Sequence, residues 1–136
     1  MYPTPKEILA SKPKFRDGTI LITKLWKARA LKNWSKDENW VKMEEIGLLI
    51  EALCVLYKKK SPKIMLDTEY SYEIGRGVIH LDYRNPSIIS SLHELAHYFY
   101  GKSELKACRW SVWLFKECFP GLYKNLKWNK HLLVKK

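Results

Sequence analysis

Cysteine is scarce and odd in number in this chain of 136 residues: Cys54, Cys108 and Cys118 cannot close a framework of paired disulfides. If Cys108 and Cys118 share a helix, ten residues hold them about 15 Å apart along its axis, too far to bridge. Reduced thiols and a cytoplasmic setting are therefore expected. No run of about 18 apolar residues occurs, so no membrane-spanning helix is expected. The opening stretch, MYPTPKEILASKPKF, lacks the apolar core of a secretory signal. Neither the phosphate-cradling G-x-x-x-x-G-K loop nor the G-x-S-x-G nucleophile elbow is present. Internal repeats and low-complexity segments are also missing. Acidic residues are few, 14 against 25 basic ones, which leaves a formal charge of +11. Lysine dominates, since only five of the basic residues are arginine. Such a charge attracts nucleic acid or acidic partners. A solvated basic surface, or adaptation to heat, explains it as well.

Hydrophobic residues make up 46% of the chain, enough for one packed domain spanning 1–136. Residues 1–17 carry Pro3, Pro5 and Pro13 and read as irregular. The stretch GTILITKLW (18–26) could be a strand, and the overlapping LITKLWKARALKNW (21–34) could equally be a helix. Over 35–60 the pattern is a helix: Met43, Ile46, Ile50, Leu53, Cys54 and Tyr57 recur at spacings of three and four, with Ser35 or Asp37 as cap. Residues 62–86 read as two short strands, about 63–70 and 76–83, joined by a turn. His80 falls on the polar parity of the second, as a surface or hydrogen-bonded histidine. Pro86 suits the first turn of a following helix, which stops at Gly101. Ser103 caps a third helix from Glu104 to about Cys118. The tail from Leu122 to Lys136 has five lysines and no acid.

The stretch SSLHELAHYFYGKSELKACRW (90–110) concentrates the chemistry. On a helix, Ile88, Leu92, Leu95 and Phe99 form an apolar stripe, and His93 and His97 lie beside it, about 40° apart in projection and one turn apart along the axis. Both rings reach one point. An i, i+4 histidine pair chelates zinc naturally, and H-E-x-x-H on a helix is a metalloprotease signature. Glu94 is rotated about 60° beyond His97. There a carboxylate can hold a metal-bound water and accept its proton. The plainer reading is a buried helix with two histidines at its rim.

Two acids compete to be the third ligand. Glu117, twenty residues after His97, matches the interval in thermolysin-like enzymes. Glu104, seven after it, is favoured by geometry. The turn at 101–103 is short enough to force the next helix back beside the first, which places His97 and Glu104 almost symmetrically about the turn. Glu117 would lie about 20 Å further along. With His93, His97 and Glu104 as ligands one position stays open for water, as in catalytic rather than structural zinc sites.

RGVIHLD followed by LHELAHYF and then SELKACRWSVWLF resembles the gluzincin metallopeptidases, above all their smallest soluble members, the minigluzincins, and the related ImmA/IrrE-type domains. The similarity covers about 37–118 and places Glu104, Ala107, Trp110 and Ser111 on the E-x-x-A-x-x-aromatic-small pattern of the glutamate helix. It implies a minimal zincin-like α+β fold: a small, mostly antiparallel sheet on a backing helix, an active-site helix and a glutamate helix. It also implies one catalytic Zn2+, hydrolysis of a peptide or protein substrate, and a cleft bounded by a strand near 76–83. Tyr83, Tyr100, Tyr123 and His131 are candidates to stabilise the oxyanion. Segments 1–35 and 119–136 lie outside the similarity. Either one, lying in the cleft, would keep the enzyme latent as a zymogen.

Two other functions compete. A basic nucleic-acid-binding or regulatory module with a degenerate H-E-x-x-H site would use the charge together with Trp110, Trp113 and Trp128. A regulatory protease cleaving a DNA-bound repressor would combine the two. Nucleic acid is disfavoured as a partner, because Trp110 and Trp113 are spaced as a helical core face and no separate DNA-binding domain is visible.

Overall fold

The computed structural model describes residues 2–136. The elements run α1 (Pro5–Leu9), α2 (Thr19–Ala30), a 3-10 turn (Leu31–Asn33), α3 (Asn39–Leu56), β1 (Lys63–Asp67), β2 (Ser71–Glu73), β3 (Val78–Asp82), α4 (Ile88–Tyr100), α5 (Glu104–Cys118), α6 (Pro120–Lys124), β4 (Leu126–Asn129) and β5 (Leu132–Lys135). This is the expected α+β class.

The core forms where three apolar faces meet. α3 buries Ile46, Leu49, Ile50 and Leu53; α4 buries Leu92, Leu95 and Ala96; α5 buries Ala107, Trp110 and Leu114. α4 and α5 pack side by side as an antiparallel pair joined at Gly101–Ser103, and α3 packs on α4 from behind. The ambiguous stretch 18–26 is helical because Thr19, Thr23, Trp26 and Ala30 recur at helical spacing and all face inward. Its buried hydroxyls are satisfied, Thr23 donating to the Thr19 carbonyl at 2.8 Å.

The sheet differs from expectation. Three strands form it rather than two, in the order β1-β3-β2. β1 and β3 are parallel, and the short β2 between them in sequence returns antiparallel to β3. β3 is central because Ile79 and Leu81 alternate into the core while His80 points to the opposite face. β2, paired on one side only, is left as an edge.

Several local readings change as well. Residues 4–9 are ordered by a capping box: Glu7 N–H donates to Thr4 Oγ1 at 3.2 Å, and Thr4 N–H donates back to Glu7 Oε1 at 3.0 Å. α3 begins four residues later than Ser35, with Glu38 at its cap position and no side-chain cap bond, so neither Ser35 nor Asp37 caps it. α4 begins after Pro86, with Ser87 accepting from Ser90 N–H. α5 starts at Glu104 under the Ser103 cap and ends at Cys118, as expected. In the lysine-rich tail, α6 leads into the hairpin β4–β5, which turns at Lys130, held at φ 59°, and His131. No described helix is long and apolar enough to cross a membrane. The three thiols are free and buried.

Candidate metal centre

α4 presents His93 and His97 one turn apart, and the tight reversal at Gly101 returns Glu104 to them at the first position of α5. Gly101 sits at φ 85°, ψ −153°, a region in which only glycine is at ease. That conformation turns its carbonyl back toward α4, 2.8 Å from Nδ1 of His97. The Glu104 carboxylate spans both rings, with Oε1 2.9 Å from His97 Nε2 and Oε2 3.2 Å from His93 Nε2. The ligand-capable atoms of these three residues lie within 4.8 Å of one another, a grouping that could hold a metal ion.

Hydrogen counting shows what this arrangement requires. A carbonyl only accepts, so Nδ1 of His97 carries the hydrogen. A neutral ring then turns the lone pair of Nε2 toward a carboxylate oxygen. Two acceptors that close repel each other unless a cation lies between them. The cation is a proton or a metal. The separations of 2.9 Å and 3.2 Å are hydrogen-bond distances, and ligands at about 2.0–2.1 Å from a tetrahedral zinc stand about 3.3–3.4 Å from each other, so a metal would enter with a small spreading of these side chains. Oε2 of Glu104 is buried, with His93 Nε2 at 3.2 Å and His131 Nε2 at 3.6 Å around it.

A hydrogen bond with His93 is the largest cause holding the Glu104 carboxyl at about 2, well below the usual carboxylate range. Burial works against charge on His93, yet hydrogen bonds to Cys108 and Glu104 push it up to about 10. The site therefore holds positive charge avidly. Burial raises the Glu94 carboxyl above its ordinary value, against the pull of His93 and His97. Glu94 lines the same cleft, of about 390 Å³, without competing for the convergence point. A larger groove of about 500 Å³ lies elsewhere, between the start of α4 and the hairpin, and none of these four residues lines it.

His93, His97, Glu94 and Glu104 come together. Glu117 lies at the far end of α5, 3.9 Å from Lys12. Of the oxyanion candidates only His131 lines the cleft. The hairpin turn carries it to 3.6 Å from Glu104 Oε2. Tyr100 instead lines a groove with Trp110 and Arg109, and Tyr83 is exposed on a loop. The strand bordering the cleft is β2, through Ser71 and Tyr72, not the stretch near 76–83, whose β3 is the central strand of the sheet. His80 is hydrogen-bonded as read, bridging Glu73 at 2.6 Å and Asp67 at 3.1 Å. Trp110 is core, and the Trp113 indole donates to the Ile8 carbonyl at 3.1 Å.

Sequence reasoning missed Tyr2, Tyr72 and Cys108. Tyr2 stacks on His131 with ring centroids 4.2 Å apart. Cys108 Sγ lies 3.9 Å from His93 Nδ1. Cys108 alone had a signal, standing one helical turn after Glu104 on the same face of α5. No protein-family model, curated protein or solved structure matches this chain.

Proposed function

We propose that the protein is a zinc-dependent endopeptidase of the gluzincin type, similar to the minigluzincins, with His93, His97 and Glu104 as metal ligands and Glu94 as general base. The observation that carries this reading is the facing of His97 Nε2 and Glu104 Oε1 at 2.9 Å, while His97 Nδ1 is committed to the Gly101 carbonyl. That pair calls for a cation. Zinc bound there would lower the pKa of water to about 7 and polarise a peptide carbonyl. The chain's own residues do the rest. The raised Glu94 carboxyl takes the proton of the attacking water and delivers it to the leaving amine. The free edge of β2 pairs with an extended peptide substrate through backbone hydrogen bonds. Three reduced, buried thiols support a cytoplasmic setting.

A latent form is favoured by a specific observation. His131 and Tyr2, stacked on each other, both line the cleft and narrow the approach to Glu104. Segments 1–35 and 119–136 would thus share the blocking role.

Metal content and cleavage of a fluorogenic peptide library test the proposal, in wild type, Glu104→Ala, Glu94→Gln and His131→Ala. One zinc per chain is expected in wild type, with loss of zinc in Glu104→Ala. Glu94→Gln should keep zinc without activity, and His131→Ala should cleave faster. A chain without zinc that binds oligonucleotides with a steep salt dependence would instead be the basic module.

A further inference from the structure

His97 has an evident partner fixing its ring: the Gly101 carbonyl at 2.8 Å. Among the described residues, no carbonyl or carboxylate is hydrogen-bonded to His93 Nδ1. Its neighbour there is the thiol of Cys108, at 3.9 Å in the interior. Metal-binding histidines usually donate their second ring N–H to an oxygen acceptor, which sets the tautomer and aims the other nitrogen at the metal. A thiol can donate or accept, so by itself it leaves the tautomer of His93 undecided. A third group decides it. The thiol of Cys108 also reaches the backbone carbonyl of His131, which can only accept, at 3.7 Å. With S–H directed to that carbonyl, the sulfur lone pairs face His93, Nδ1 carries the hydrogen, and the lone pair of Nε2 points at the convergence point.

We propose that Cys108 is a positioning residue: the chain His93 Nδ1–H to Cys108 sulfur, Cys108 S–H to His131 C=O, fixes His93 in its metal-binding tautomer and couples the metal site to the turn of the C-terminal hairpin. The proposal rests on the metal reading above. The hairpin then has two separate effects at the site. The His131 ring crowds the cleft, while the His131 backbone supports a ligand from behind. Removing the ring opens access and leaves the relay intact. Removing the sulfur leaves the cleft as it is and releases His93. Outer-shell partners of this kind are worth about 10–100-fold in metal affinity.

The test is zinc affinity by chelator competition on the full chain in wild type, Cys108→Ala, Cys108→Ser and His131→Ala. Alongside it runs the proton spectrum of the His93 ring N–H in the zinc-loaded protein. Cys108→Ala should bind zinc about 10–100-fold more weakly and lose the slowly exchanging N–H signal. Cys108→Ser, whose hydroxyl also accepts and donates, should recover much of both. His131→Ala, which keeps the carbonyl, should retain wild-type affinity and the signal. Equal affinity and an unchanged N–H signal in Cys108→Ala overturn the proposal, as does equal weakening in Cys108→Ala and Cys108→Ser with circular dichroism unchanged. Wild type that binds no zinc removes the metal reading itself, and this proposal with it.

Discussion

Tyr2 lies flat against His131, ring planes 3° from parallel, and His131 in turn stands 3.6 Å from the Glu104 carboxylate. Residues 129 positions apart thus meet beside three candidate ligands that are close in sequence. Opening the cleft should follow from weakening either member of the stack. Tyr2→Ala should raise the initial rate of peptide cleavage severalfold, and His131→Ala should raise it more, because the second ring also approaches Glu104. Rates at or below wild type in both variants would mean that the stack does not restrain the site.

Glu94 is expected to act on protons and not on metal retention. Glu94→Gln should reduce turnover by about 10²–10⁴-fold, the usual worth of a general base, with zinc content unchanged. Mass spectrometry of the native protein, run beside the assay, separates loss of chemistry from loss of metal.

Zinc should displace a proton. Against the cost of burial, hydrogen bonds to Cys108 and Glu104 raise the affinity of His93 for a proton, and a ligand nitrogen must give up such a proton to bind. Binding at pH 7 should therefore release protons, seen as calorimetric enthalpies that scale with the ionisation enthalpy of the buffer. Affinity should fall as pH is lowered. A chelator should lower the melting temperature of wild type and leave Glu104→Ala unchanged.

The His80 clamp gives a pH dependence of stability away from the metal. Its hydrogen bond to Glu73 is the largest cause raising the His80 pKa above the ordinary value, and Asp67 adds to it. A raised folded-state pKa stabilises fully below the unfolded value of about 6.5, and that contribution is lost as pH rises through the folded value. His80→Gln should thus lower the melting temperature most near pH 6, and the gap to wild type should narrow toward pH 9.

Gly101 joins backbone conformation to the site. Gly101→Ala has open space around the new methyl group, so any cost arises from the backbone at φ 85°. Residues forced into that region lose about 1–3 kcal/mol. Relief of the strain would also move the carbonyl away from His97. Urea denaturation should show the loss and chelator competition a weaker zinc affinity. Gly121→Ala, also in open space but at ordinary φ, should show neither.

The helices bearing the candidate site were readable because their signals are local. Helical periodicity placed His93 and His97 on one face of α4, and the shortness of the 101–103 turn brought Glu104 back to them and excluded Glu117. The caps at Ser103 and Gly101 are side-chain and backbone effects within a few residues. The strands were harder. Residues 71–73 are too few to show an alternation, and whether β1 and β3 run parallel depends on pairing across the sheet, not on composition.

By itself, then, the sequence determined the α+β class, the His93–Glu94–His97 helix and the return of Glu104, since each depends on neighbours within about two turns of helix. Tertiary structure decided that β2 forms the rim, that Tyr2 and His131 meet over the cleft, and that Cys108 stands behind His93. Those contacts join segments far apart in the chain. They form only when burial of the shared core folds the hairpin against α4 and α5, and no short-range pattern in the residues encodes that closure.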